Sequence, residues 1–593
     1  MTPSTLVEFY HQRKLNFSAY LQETRQEINK ISNFRLLTAA TFLILFYFAF
    51  QNQSLFFVLP IPIVLFAWLM QRHSKAFTRK IHFENLVAIN DGEAKAQQGD
   101  FASFYSGQTF IDPKHAYAHD LDLFGDGSLF QYMNRANTLA GRKQFAQRLK
   151  EPLTTASEIQ TCQRSAKELS EKTNFRQDFQ ASGMEIAELD TDRAQLVEWL
   201  SHPKVLQSGI YRPLLMIVPP LTVLGILVSI FFPAFQSVAI LLILFQWGFL
   251  GFHFKKITAF HAYISNKKNI LEKYSVLLHQ VQGEKFSSPQ LLDFSKRAAE
   301  AHAHVEKLAS LVSALDARLN FMTSFVVNSL LLYDLQCVYR LEQWKDLHAP
   351  KLESWIDLLA EVEVLASIGT FSFNHSDFSN PAIHETLEIT ATELGHPLIR
   401  KHERIANPVT LTAQEQVWIV TGANMAGKST FLRTLGINVV LALMGAPVCA
   451  RDFKTPILGL RSGMRTADSL KDHESYFYAE LNRLKSIIDE LRKDVPLLIL
   501  LDEILKGTNS NDKQSGSIAL VKQLLPHPCL VVIATHDLVL GDLEKEYPNR
   551  IKNYCFEATI ENDQLSFDYK LKPGLAQKMN ATFLMRKMGI IPR

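Results

Sequence analysis

Apolar residues are spread unevenly along this chain. Met1–Arg35 is polar and charged, with the spacing of an amphipathic helix, and two apolar runs follow it, Leu36–Phe50 and Ser54–Met70, separated by Gln51-Asn52-Gln53. A second pair of runs lies at Pro213–Phe232 and Ala234–Phe252, hinged near Phe232-Pro233. Each run holds roughly 15–20 residues, near the ~20 that an α-helix needs to cross a bilayer. Buried core hairpins would give a similar pattern. The near absence of charge within the runs, their tight pairing and their basic flanks favour two transmembrane helical hairpins, at about 36–71 and about 213–252. Arg25, Lys30 and Arg35 precede the first pair, and Arg72, Lys75, Arg79 and Lys80 follow it. Lys204 and Arg212 precede the second, and Lys255 and Lys256 follow it. The tendency of basic residues to stay inside then predicts a multi-pass membrane protein with both hairpin tips outside and all else in the cytoplasm. No cleavable signal is expected.

The remaining pattern predicts three further segments. Residues 1–82 form the N-terminal helix and first hairpin, and 83–119 read as a mixed, turn-rich connector. Over 120–369 helical spacing dominates, interrupted by the second hairpin. Ser128 is the expected N-cap after the turn at Gly125-Asp126-Gly127. Lys256–Gly283 and Pro289–Gln343 read as long amphipathic helices. From about Thr370 the period changes: short β-rich runs at Val417–Val420, Leu497–Leu501 and Leu530–Ala534 alternate with helical stretches. That alternation over 370–593 predicts an α/β domain with a largely parallel sheet.

Length and charge sharpen this only a little. A chain of 593 residues is too long for one core. A net charge of +3 argues against global basic character, so any nucleic-acid contact would need a local patch. The five cysteines are scattered without metal spacing and read as reduced core thiols, and no metal cluster is expected.

The chemistry is concentrated in the α/β part. Gly422-Ala423-Asn424-Met425-Ala426-Gly427-Lys428-Ser429-Thr430 fits the phosphate-loop pattern, follows an apolar strand and precedes a helix candidate, Phe431–Met444. Its glycines let backbone amides curl round phosphate, and the helix N-terminus adds partial positive charge. Lys428 is expected to hold the β- and γ-phosphates of ATP, and Ser429 to bind Mg2+. The run Leu497–Leu501 ends in Asp502-Glu503, with Asp502 as a Mg2+ partner and Glu503 as the general base for water. His536, after the strand Leu530–Ile533, is the candidate γ-phosphate sensor.

Taken in order, these motifs resemble the MutS family of DNA mismatch-repair ATPases, whose nucleotide site is of the ABC type. The Asn424-Met425 pair is the distinctive part of the loop. His396-Pro397, Ile405-Ala406-Asn407-Pro408 and Asp502-Glu503 with Gly507-Thr508 also fit the family pattern, as do Lys572-Pro573-Gly574 and the ending Met588–Pro592. Ser475-Tyr476-Phe477-Tyr478-Ala479-Glu480-Leu481 resembles its signature loop, whose serine reaches the other subunit's nucleotide in a dimer. Upstream, Leu123–Phe130, Gly141-Arg142 and Leu149–Pro152 resemble the start of its helical core, and Leu330–Leu341 its lever. The resemblance implies ATP with Mg2+, a homodimer with shared sites completed by Ser475, and DNA as partner.

Departures limit what carries over. The family's mismatch-reading Phe-x-Glu motif is missing before Asp120, where a hairpin lies, and the second hairpin falls within the helical core. An aromatic residue that stacks on adenine is replaced by Arg404, beside Ile405, whose guanidinium plane could stack instead. His473 replaces a glycine and Lys506 an arginine. The expectation is therefore a membrane-anchored, MutS-like ATPase coupling ATP binding and hydrolysis to DNA, mismatched or branched. The alternative is a membrane ATPase or ATP-controlled tether of the same fold that does not bind DNA.

Overall fold

The computed structural model describes residues 3–188, 190–206, 209–265, 267–465, 476–506, 508–561, 564–577 and 590. No proline or glycine interrupts the chain between Pro3 and Pro60, and helix α1 runs unbroken over Pro3–Ala49. A single-turn helix at Gln53–Phe57 follows, capped by Asn52, whose side-chain oxygen accepts from the Ser54 N–H at 3.2 Å. Helix α2 (Pro60–Gln97) starts on a proline, where the missing N–H has no partner to lose. Lys14–Asp91, Arg25–Glu84 and Arg79–Glu27, each at 2.7–2.8 Å, bind the polar halves of α1 and α2 together. Their other halves carry exposed Leu36, Leu43, Tyr47, Phe57, Ile61, Val64 and Trp68. Because α2 continues through Gln97, residues 83–97 are helix, and only the stretch beyond them is turn-rich as the sequence suggests.

The helical body begins with α3 (Leu129–Met133), where Ser128 Oγ accepts from the Gln131 N–H at 3.2 Å, as its N-cap role requires. Leu121–Phe124, ahead of it, forms turns rather than helix. Then come α4 (Leu139–Lys150), α5 (Ala156–Glu171), α6 (Thr173–Met184) and α7 (Asp190–Ser201). Helices α8 (Tyr211–Phe231) and α9 (Gln236–Ile264) form a second hairpin, turning at Phe232 and a single-turn helix at Pro233–Phe235. Among the described residues, α1, α2, α8 and α9 are long and apolar enough to cross a membrane by length and composition. Helix α10 (Lys268–Gly283) returns to the body.

The helix read over Pro289–Gln343 is in fact three: α11 (Pro289–Asp316), α12 (Phe321–Leu331) and α13 (Tyr333–Asn374). Leu332 adopts φ +49°, which ends α12, and Asn328 Oδ1 accepts from the Asp334 N–H at 3.0 Å, which starts α13. Helix α13 is buried along its last turns and forms the spine of the main core.

The C-terminal part is a mixed α/β domain. Its strands are β1 (Ala382–His384), β2 (Glu388–Leu394), β3 (Asn407–Thr412), β4 (Val417–Gly422), β5 (Asp452–Pro456), β6 (Gly459–Gly463), β7 (Leu497–Asp502), β8 (Cys529–Thr535), β9 (Ile551–Glu561) and β10 (Gln564–Pro573). Its helices are α14 (Lys428–Leu443), α15 (Tyr476–Leu491), α16 (Ser510–Leu524) and α17 (Leu543–Glu546). The main sheet has order β10-β9-β4-β8-β7-β6 and is parallel except for β10. Strands β4, β7 and β8 are buried on both faces, as continuous apolar runs in a parallel sheet must be. A smaller sheet, β1-β5-β2-β3, lies beside it and was not legible in the sequence pattern. Asp120 joins body to domain, accepting from Ser462 Oγ at 2.6 Å and from the Arg465 N–H at 3.0 Å. All five cysteines are buried and free.

Candidate active site

The site starts from the sheet register. Thr421 on β4 lies opposite Thr535 on β8, and Ala534 lies opposite Asp502 on β7, so three strand ends open on one edge. Beyond β4 the backbone turns sharply. Gly422 has φ +153°, and a Cβ there would meet the Phe556 carbonyl oxygen at 2.7 Å. Gly427 has φ +104°, and a Cβ would meet the Tyr569 ring at 3.1 Å. Only glycine fits both places. Helix α14 begins at the next residue, so its positive end faces the turn.

Lys428 is buried and donates from Nζ to the carbonyls of Gly422 and Ala423, at 2.8 and 2.9 Å. Burial lowers its pKa, against the opposing pull of Glu503 and Asp502. Glu503 follows the end of β7, with its N–H donating to the Ala534 carbonyl at 2.8 Å. One carboxylate oxygen lies 3.5 Å from His536 Nδ1 and the other 3.3 Å from Lys506 Nζ. Burial pushes the Glu503 carboxyl up, but Lys506, His536 and Lys428 together outweigh it and hold its pKa below the usual value. Glu503 is therefore ionised at neutral pH, the form a proton acceptor needs, with cationic neighbours that weaken it as a base.

A cavity of about 410 Å³ adjoins these groups. Asn424, Met425, Ala426, Gly427, Lys428, Ser429, Thr430 and Glu503 line it from the loop and β7. His396, Glu403 and Ile405 line it from the β2–β3 connection, and Tyr569 from β10. The structure therefore brings the loop residues, Glu503 and Ile405 to one pocket. Asp502 and His536 lie at the same sheet edge.

Arg404 departs from expectation. Its side chain turns away from the cavity, lies 5.2 Å over the Phe378 ring, bonds Cys449 Sγ and pairs with Asp377 at 3.7 Å. It is therefore committed to the domain's interior and is not free to stack on a base. Tyr569, half-exposed on the opposite wall, offers the aromatic surface instead, with its carbonyl held by Asn407 Nδ2 at 3.0 Å. Ser475, Gly507 and His473 lie outside the described residues.

Two further contributors stood in the sequence only as motif residues, without a role assigned to either. Glu480, on α15, accepts from the Leu505 N–H at 2.5 Å and the Lys506 N–H at 3.2 Å, fastening the turn that carries Glu503. That turn is strained, with φ +52° at Glu503 and φ +58° at Leu505. His396 is also in the wall, and burial lowers its pKa to about 4, so it is neutral at physiological pH. The signal for Glu480 was its place five residues after Ser475, but its partner could not be foreseen across the fold.

A buried central strand, a glycine-turned loop, a helix N-terminus and paired acids on the neighbouring strand define an α/β domain built to receive an anion at its sheet edge. Residues 418–592 match the sequence model of MutS domain V. The chain is 26% identical over 333 residues to the DNA mismatch repair protein MutS of Thermotoga petrophila, covering 56% of this chain and 38% of that protein. It is 32% identical over 234 residues to the MutS of Thermus thermophilus, covering 39% and 28%. Over 236 residues it is 30% identical to the MutS of Natronomonas pharaonis, covering 39% and 27%. These similarities support membership of the MutS family. The chain spans less than two-fifths of the length of these relatives.

Proposed function

We propose that this protein is a membrane-anchored, MutS-like P-loop ATPase that couples ATP binding and hydrolysis to binding of DNA, mismatched or branched. The observation that carries the ATPase reading is the cavity between Lys428, Ser429 and Glu503. Its residues fit ATP with Mg2+: a loop closed to any Cβ at two points, a buried amine and a helix N-terminus suit phosphate. Ser429 and Asp502 would hold Mg2+, and the bound nucleotide and metal supply the bond to be cleaved and neutralise its charge. The chain's own groups do the rest. Lys428 binds and orients phosphate. Glu503 takes the proton from water, His536 holds Glu503 and senses the terminal phosphate, and Tyr569 and Ile405 flank the base.

The division into 1–82, 83–119, 120–369 and 370–593, with ABC-type nucleotide domains dimerising head to tail and Ser475 completing the partner's site, is part of this proposal. So is the membrane. The exposed apolar halves of both hairpins match the ~30 Å hydrocarbon core, and basic residues flank each pair. Both hairpin tips would lie outside, with the ATPase in the cytoplasm. DNA as partner rests on what the relatives are named for, DNA mismatch repair.

A second reading keeps the ATPase and drops DNA. It is favoured by α13, which packs on α9 of the second hairpin and, through Asn374 at its end, on the base of the first, so nucleotide could act on the membrane helices alone. Turnover of the purified protein in detergent, with and without duplex, mismatched and branched DNA, separates the two. DNA action predicts stimulation by one of these at low salt. Unchanged turnover together with no binding removes DNA.

A further inference from the structure

Helix α12 belongs to neither hairpin, yet its surface is like theirs. Phe321–Leu331 contains no charged residue. Met322 is 71% exposed, and Phe325 and Val326 are each 50% exposed. Leu319, just ahead, is 73% exposed. Such a patch is out of place in water.

We propose that α12 is a third membrane-embedded element, a half-length helix that dips into the bilayer beside the second hairpin and fixes the start of α13 there; this rests on reading the hairpins as membrane-spanning. Its occupant is lipid acyl chains. Eleven residues make about 16 Å of helix, roughly half of a ~30 Å hydrocarbon core.

Its packing sets its depth. Helix α12 touches both α8 and α9. Trp247 Nε1 on α9 donates to Ser329 Oγ at 2.9 Å, and the Trp247 and Phe325 rings lie 5.3 Å apart. Arg318, before α12, lies nearer the basic flank of α9: it donates to Thr258 Oγ1 at 3.4 Å and sits 5.8 Å over the Phe254 ring. From Thr258 back to Trp247 is eleven positions, or about 16 Å toward the hairpin tip. The chain therefore enters beside Lys255 and Lys256 and advances toward the tip. Near the level of Trp247, α9 exposes Leu244 and Phe245, as α12 exposes Phe325 and Val326.

Ser324, Asn328 and Ser329 of α12 find side-chain partners within the protein, as hydrocarbon requires. Ser329 Oγ donates to the Phe325 carbonyl at 2.7 Å. Asn328 Nδ2 donates to Ser324 Oγ at 3.0 Å and to Asp334 at 3.2 Å. Arg318 and Asp334, on either side of α12, pair at 3.2 Å with both side chains largely buried, tying the two ends of the helix together. Irregular backbone at Leu332 is tolerated there because that residue is buried in protein.

The test uses the full chain in phosphatidylcholine–phosphatidylglycerol vesicles, with single cysteines carrying an environment-sensitive fluorophore. The sites are Val326→Cys, Leu241→Cys on α9 and Leu347→Cys on the exposed side of α13, and the unsubstituted protein measures labelling of the five buried cysteines. Doxyl-labelled acyl chains and aqueous iodide are the quenchers. The expected result is that Val326 follows Leu241, quenched several-fold more by doxyl lipid than by iodide, while Leu347 shows the reverse. Iodide quenching at Val326 with lipid quenching at Leu241 overturns the α12 proposal and leaves the hairpins standing. Shielding of Val326 from both quenchers marks a protein contact and also overturns it. Iodide quenching at Leu241 overturns the hairpin reading and the α12 proposal with it.

Discussion

Glu503 shows how a single residue's role depends on its surroundings. Its carboxyl is pushed up by burial and pulled down further by Lys506, His536 and Lys428. A depressed carboxylate is ionised above its folded pKa and loses its charge as pH falls through that value. With the folded pKa below the ordinary 4.5, Glu503 sets no acid limb in turnover above about pH 4.5. Lys506→Met removes the cation at 3.3 Å, so the acid limb should move upward; a pH–kcat profile on both proteins checks this. An unmoved limb would separate Lys506 from the base. The residue types of this site were legible in the sequence, because the loop directly follows strand β4 and the acids directly end strand β7. Arg404 was not: its neighbours Phe378 and Cys449 come from distant segments, and only the fold shows that they occupy it.

Among the elements, α15 and β7 act as a unit through Glu480. Two backbone N–H groups of the Glu503 turn end on its carboxylate, and charge-assisted bonds of this kind contribute about 1.5–3 kcal/mol. Glu480→Ala should speed hydrogen exchange at Leu505 and Lys506 by about 10–100-fold, since each ~1.4 kcal/mol is tenfold. It should also lower kcat while leaving nucleotide affinity near normal. Unchanged exchange at both amides would contradict the positioning role. Gly422→Ala is a harsher change, because its Cβ would meet the Phe556 carbonyl at 2.7 Å. About 1–3 kcal/mol of strain is expected, read as a lower Tm. The three central strands β4, β7 and β8, and the helix after β4, followed from the alternation of periods. The small sheet did not, because β1, β2, β3 and β5 are short and pair across long separations, with β5 reaching back to β1 and β2. The three-part split of Pro289–Asn374 was hidden for another reason: the break at Leu332 carries neither glycine nor proline.

The whole molecule is held together where its parts meet. Glu93 from α2 pairs with Arg135 in a buried site, Asn374 at the end of α13 donates to Glu93 at 3.0 Å, and Tyr10 OH on α1 donates to Asn374 at 2.6 Å. The first hairpin, the helical body and α13 thus share one buried charge network. Removing one partner leaves the other charge stranded, so Arg135→Ala should destabilise the protein by about 3–5 kcal/mol, measured by denaturant unfolding in detergent. A change under about 1 kcal/mol would show the network to be incidental. None of this was visible in the sequence, where Tyr10, Glu93, Arg135 and Asn374 carry no motif. The hairpins were visible, because uncharged runs of that length are rare in soluble helices.

The proposed function stands or falls on ATP hydrolysis at the cavity between Lys428 and Glu503. The direct measurement is phosphate release from Mg-ATP by the purified full chain, alongside Glu503→Gln. Mg2+-dependent turnover is expected in the parent, with a fall of about 100-fold or more in the variant and retained ATP binding there. Equal turnover in the two proteins, or none in the folded, nucleotide-bound parent, would contradict it.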